Sequence, residues 1–314
     1  MKTEKTKTNT PKAETGHPRQ HSARIIPAVT LTEGAGVTVQ RTIGAPALRN
    51  LDPFMLLDFF CSDQPDEYIA GFPSHPHRGF NTFTYMLDGH IEHKDSMGNT
   101  GRLSPGSAQW MKAASGVIHS EMPKQENGLM RGFQLWINLP AARKMDAPQY
   151  QEYSAGDFPQ IDTAEYRVKL IVGEYEGQRS PIQDELTRVS YLDVRIQPGK
   201  TFTTTLLPGR QHFIYLFEGN AQYAGQPAPA NTLIVPDTDL ITQAETVRLT
   251  AAENGARLLL VSGEPLHEPV VQYGPFVMST REEIDQAVKD FQSNNFVRER
   301  AWINRTTSTT SNKR

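Results

Sequence analysis

Phe72-Pro-Ser-His75-Pro-His77-Arg-Gly-Phe80 and, about forty residues later, Gly116-Val-Ile-His119-Ser-Glu121-Met-Pro123 decide how this chain is read. Each stretch holds two metal-capable side chains two residues apart. Side chains of an extended strand alternate between faces, so positions i and i+2 project together. His75 with His77, and His119 with Glu121, can therefore aim from two strands into one space, where three imidazoles and one carboxylate suit a divalent ion. Pro76 agrees with this placement, because a residue without a backbone N–H is tolerated at a strand start or edge. Gly79, Gly89, Gly98, Gly101, Gly106 and Gly116 supply the turns that a small barrel needs between its strands.

Outward from this centre the chain is a series of short apolar or alternating runs cut by Gly, Pro, Asn and Asp. They are Phe54 to Phe60, Thr82 to Leu87, Phe133 to Leu139, Tyr166 to Val172, Tyr191 to Ile196, Phe213 to Phe217, Thr232 to Val235 and Arg257 to Val261. This spacing predicts an all-β chain, an antiparallel sandwich or barrel. Phe83-Thr-Tyr-Met-Leu-Asp-Gly89 is echoed by Phe213-Ile-Tyr-Leu-Phe-Glu-Gly219, which points to a duplicated fold. Thr205 and Leu207 then stand where His75 and His77 do, so only the first copy keeps a metal site. One helix is expected over 280–292, with Thr280 and Glu283 forming a capping box and Ile284, Ala287, Val288 and Phe291 on one stripe.

At 314 residues the chain is long for a single core, and two domains are expected. A net charge of −3 argues against general nucleic-acid binding. No apolar run of membrane-spanning length and no signal-like segment is present, so a cytoplasmic protein without membrane association is expected, and a monomer. The basic, polar segment 1–24 is expected to be disordered, and so is the C-terminal tail, 297–314, after about Ile303. Cys61, the single cysteine, is expected to be a small buried hydrophobe. His90 and His93, in a polar stretch with Asp88, Glu92, Lys94 and Asp95, are expected to be solvated rather than ligating.

The two opening stretches, together with Thr84-Tyr-Met-Leu-Asp-Gly89, Gly106-Ser-Ala-Gln-Trp-Met111 and Glu268-Pro-Val-Val-Gln-Tyr-Gly-Pro-Phe-Val-Met278, closely resemble the pirin family of the cupin superfamily. The resemblance runs from about Arg24 to Phe296. It implies two tandem cupin (jelly-roll β-barrel) domains with a short C-terminal helix: 25–150 with the metal site, and 151–296 without ligands but including the helix. The family's ligands fall on His75, His77, His119 and Glu121, the four already reached from spacing. One departure is Asn81, where many cupins carry a Glu, and an altered outer shell around the ion is expected from it.

Three imidazoles and one carboxylate leave two open positions on an octahedral ion. The resemblance implies iron, Fe(II); the ligand set alone equally admits Zn, Cu, Ni, Mn or Co. It also implies a quercetin 2,3-dioxygenase-like reaction, in which a flavonol-like substrate is opened by O2 with release of carbon monoxide. Glu121 is then the catalytic proton acceptor, and Phe72, Phe80, Trp110 and Met111 are candidate pocket walls. The family's other implied role is an iron-dependent, redox-sensing regulator that acts through a protein partner.

Overall fold

The computed structural model describes residues 23–237, 241–301 and 303–304. Most of segment 1–24, and residues 305–314 of the expected C-terminal tail, lie outside the described residues. Among the described residues the fold is strand-dominated and built of two jelly-roll barrels, with a single α-helix, Arg281–Gln292.

In the first half, eight strands form a sheet in the order Val29–Glu33, Val37–Arg41, Phe54–Ser62, Met130–Asn138, Phe80–Asp88, Ala108–Lys112, Gln149–Tyr153, Ile303–Asn304. A four-stranded sheet, Phe72–His77, Val117–Pro123, Ile91–Asp95, Thr100–Leu103, covers one of its faces. Val37, Val39, Phe60, Met86, Ile91, Leu103 and Met130 fill part of the space between the two sheets. The second barrel is one nine-stranded sheet that closes by bending its two longest strands, Gln211–Tyr223 and Glu245–Gly263. The bend sits at Gly219 and Gly255, both at positive φ (70° and 76°), and a Cβ on Gly219 would stand 2.2 Å from the Gly255 carbonyl oxygen. Only glycine fits such a corner.

The aromatic repeat explains how the barrels join. Phe83 and Tyr85 share a face of their strand, as Phe213 and Tyr215 do of theirs, and all four belong to one core between the barrels. Phe59 stacks on Phe133 with centroids 4.8 Å apart, and Phe133 meets Phe217 edge-on at 5.0 Å. The even-numbered positions point the other way, into each barrel's own cup.

The first and last described strands are exchanged between the barrels. Ala23–Pro27 pairs with Thr232–Pro236 in the second barrel's sheet, while Ile303–Asn304 lies parallel to Tyr150 and Gln151 of the first. Phe276, Met278, Ile284, Ala287 and Phe296 pack as a cluster against Ile118 of the first barrel. The sequence boundary near residue 150 runs across this exchange, and residues 23–24 and 303–304 are strand where tails were expected. The helix is capped as read, Thr280 Oγ1 accepting from the Glu283 N–H at 3.2 Å. In its last turn, however, Asp290 is buried and Phe291 is 40% exposed. Cys61 is exposed, a correction to its reading as core. It falls on the inter-barrel face with Leu57 and Phe59 but at the rim, among the charges of Arg131, Glu218 and Asp88.

Candidate metal centre

Strands Phe72–His77 and Val117–Pro123 pair antiparallel, with Val117 opposite His77 and His119 opposite His75. A register shift between His119 and Glu121 then brings Glu121 opposite Phe72. His75, His77, His119 and Glu121 all come from the four-stranded sheet, and the i, i+2 spacing turns each pair inward as its alternation requires. Ligand-capable atoms of His75, His77 and His119 lie within 4.8 Å of one another, and those of His93, His119 and Glu121 do the same. Among the described residues these are the groups of three or more such side chains able to hold an ion, and both lie in the first barrel.

His75 Nδ1 lies 2.8 Å from the Pro73 carbonyl. A carbonyl only accepts, so Nδ1 donates to it, and Nε2 is turned to the cup, 2.9 Å from His77 Nε2. Burial pushes His77 and His119 well below the ordinary histidine range, neighbouring histidines adding repulsion, so both rings are neutral. The buried Nε2 atoms of His119 and His93 have no hydrogen-bond partner. Orphaned buried nitrogens are costly unless something takes them. Neutral imidazoles with open nitrogens, a carboxylate and no thiolate fit a divalent transition ion.

Glu121 is buried, which raises its pKa, while His75 and a hydrogen bond from Thr84 lower it. Thr84 Oγ1 is 3.2 Å from Glu121 Oε1 and 2.7 Å from Gln134 Oε1. A cavity of about 640 Å³ opens over this cluster, lined among others by Phe72, His75, His77, Thr84, Glu121 and Trp136.

Several expectations need correction. His93 is 1% exposed, not solvated: it lies on strand Ile91–Asp95, with Nδ1 3.3 Å from His119 Nδ1. Burial lowers its pKa to about 4. The signal lay in the alternation of Ile91 and His93 against charged Glu92 and Lys94. His90, by contrast, is exposed in the turn. Asn81 shares the face of Phe83 and Tyr85, so it looks away from the cluster into a cleft with Trp110 and Lys112. It cannot alter the shell around an ion; Thr84, on the other face, is the residue of this strand that touches Glu121. Of the expected walls, Phe72 lines the cavity. Phe80 packs behind His77 and against Trp136, Trp110 belongs to the inter-barrel core, and Met111 packs with Val117 and Tyr150. Trp136, which sequence reasoning passed over, supplies the aromatic wall, its ring 5.2 Å from that of His77.

The pirin family model matches residues 36–137, and the model of the pirin C-terminal cupin domain matches residues 191–297. A Pseudomonas aeruginosa protein provisionally named quercetin 2,3-dioxygenase is 43% identical, over 83% of this chain and 92% of its own length. Human pirin is 41% identical over 86% of this chain and 92% of its own. A crystal structure of quercetin 2,3-dioxygenase from Acinetobacter baumannii superposes with a TM-score of 0.80 at 30% identity, covering 87% of this chain and 96% of that one. Motifs, duplicated barrel and matched length agree: the chain belongs to the pirin family.

Proposed function

We propose that this protein is a dioxygenase of the quercetin 2,3-dioxygenase type, with one divalent ion, iron by preference, held by His75, His77, His119 and Glu121. The observation that carries the reading is that His75, His77 and His119 gather in one group, and His119 with the buried Glu121 in an overlapping one, under a cavity of about 640 Å³, a volume suited to a three-ring flavonol. When bound, the ion supplies Lewis acidity and a route to dioxygen chemistry. The chain's residues do the rest. Phe72, Leu56 and Trp136 give apolar surface against which a planar ring system packs and from which water is excluded. The Pro73 carbonyl fixes the tautomer and direction of His75. Glu121 receives the proton of the substrate hydroxyl at its carboxylate, and the Thr84 hydroxyl beside Oε1 helps hold that carboxylate in place.

The test uses the full chain loaded with Fe(II) under anaerobic conditions, then mixed with quercetin and air. Oxygen uptake with release of carbon monoxide, both lost in His119→Ala, is the expected result. No uptake and no carbon monoxide from either protein would remove the flavonol reading. Capture of a protein partner that depends on iron and is lost on chelation would support the regulatory role instead. Metal analysis of protein purified without added metal should find close to one equivalent of a transition ion.

A further inference from the structure

The second barrel keeps a cup of its own. Phe83 stands opposite Leu135 in the first barrel and Phe213 opposite Val261 in the second, so the two pairs align. That alignment sets Thr205 and Leu207 on His75 and His77, and Leu260 and Ser262 on Gln134 and Trp136. All four of these second-barrel residues line a cavity of about 540 Å³, as their counterparts line the first. A small barrel that served only as scaffold would fill this space with side chains. Here the space persists while its metal ligands are gone.

Its lining is chemically specific. Arg210 is half-buried, and its acceptors are the Ser262 hydroxyl at 3.0 and 3.2 Å, the Ser262 carbonyl at 3.4 Å and the Arg188 carbonyl. All are neutral, and among the described residues Arg210 makes no ion pair. Three acidic groups also line the cavity, and Asp184 is near enough to Arg210 to interact with it, though each has other partners or faces solvent. Asp184 accepts from the N–H groups of Leu186, Thr187 and Val189, Glu174 faces Arg179 at 3.5 Å, and Glu185 is exposed. Arg188 is paired with Glu264. The buried Tyr175 hydroxyl lies beside Thr204 without a well-formed hydrogen bond to it. Leu192, Leu206 and Leu260 provide the apolar part of the wall.

We propose that this second cup is a binding site for a small organic carboxylate, its anion on the Arg210 guanidinium and its apolar body on the leucines. A guanidinium fork matches a carboxylate in shape, and Arg210, which feels Asp184 and Glu264 nearby but forms no direct ion pair with either among the described residues, gains by acquiring an anion on its open fork. The site is independent of any ion in the first barrel.

Benzoate is the probe, with benzamide as its neutral counterpart, titrated calorimetrically into the full chain. Benzoate should bind at least tenfold tighter than benzamide. Arg210→Gln should weaken benzoate at least tenfold, and His119→Ala should leave it unchanged. Because Arg210 also holds Ser262 and the Arg188 carbonyl, a second variant guards against misfolding: Leu207→Trp, at the exposed lip, should block benzoate while keeping the wild-type Tm. Equal affinity for benzoate and benzamide, retained binding in Leu207→Trp, or a loss that follows His119→Ala would overturn the proposal.

Discussion

Arg78 and Asp290, 212 residues apart in sequence, form a buried ion pair with 2.7 Å between Nη1 and Oδ2. Arg78 directly follows the second histidine of the candidate metal centre, and its other nitrogens donate to the carbonyls of Ser115 at 2.6 Å and Phe296 at 3.0 Å. Its guanidinium also lies 4.3 Å from the centre of the Phe296 ring. One side chain thus ties the C-terminal helix and the segment after it to the histidine strand. Arg78→Ala strands two buried carbonyls and leaves Asp290 with Arg298 as its one charged partner. The expected loss is about 3–5 kcal/mol in urea unfolding. A loss below about 1 kcal/mol would show that the latch contributes little.

Phe133 tests whether the barrels unfold together. It stacks on Phe59 of its own barrel and touches Tyr215 and Phe217 of the other. Phe133→Ala should cost about 3–5 kcal/mol. Because the core is shared, unfolding should stay a single transition when followed by both fluorescence and circular dichroism. Two separated transitions would mean the barrels are energetically independent.

The strands and the repeat were legible because each carries a strong local pattern: Phe83-Thr-Tyr and Phe213-Ile-Tyr alternate as a half-buried strand must. What lay beyond reach was non-local. Nothing near Asp290 announces a partner at Arg78, and nothing in Ala23–Pro27 announces pairing with Thr232–Pro236. Polar strands were also hard to see, as in Thr201–Leu206, where four threonines flank a single Phe and Leu. As candidates, His75, His77, His119 and Glu121 were legible from spacing alone, and the structure divides them between two overlapping groups. His93 was not, because its charged neighbours resemble a solvated turn until the strand places them on the opposite face.

Gly79 closes the turn after the histidine pair at φ 89°, and a Cβ there would stand 2.0 Å from the Val277 carbonyl oxygen. Its own carbonyl accepts from Lys144 Nζ at 2.8 Å. Gly79→Ala combines an unfavourable backbone with a backbone clash, and should destabilise by at least about 2 kcal/mol. Denaturant titration reads this directly, and a change under about 0.5 kcal/mol would mean the turn relaxes freely.

His93 stands behind His119 at 3.3 Å and can orient it toward an ion. Removing such a support weakens metal binding by about 10–100-fold. His93→Gln should therefore lower affinity by that range in competition with a chelator of known strength, and His119→Ala should lower it further. Affinity within twofold of wild type would rule out the supporting role. A loss as large as that of His119→Ala would instead make His93 a ligand.

His212 provides a pH test away from the metal centre. Its Nε2–H donates to the Leu207 carbonyl at 2.9 Å, and burial lowers its pKa to about 4, against an ordinary value near 6.5. Between those two values the unfolded chain binds a proton that the folded chain refuses, so stability falls as pH drops through the interval. The contribution is complete above about pH 6.5 and lost below about pH 4, with a total near 3 kcal/mol at most. His212→Gln keeps a donor for Leu207 but cannot titrate, so it should flatten part of the acid slope. Other buried histidines, His93 among them, bend the curve the same way, and the difference between wild type and His212→Gln isolates this one. Unfolding free energies measured from pH 4 to pH 7 should diverge between the two proteins by about 2–3 kcal/mol. Parallel curves would mean that the second barrel admits water or a proton to His212 without opening.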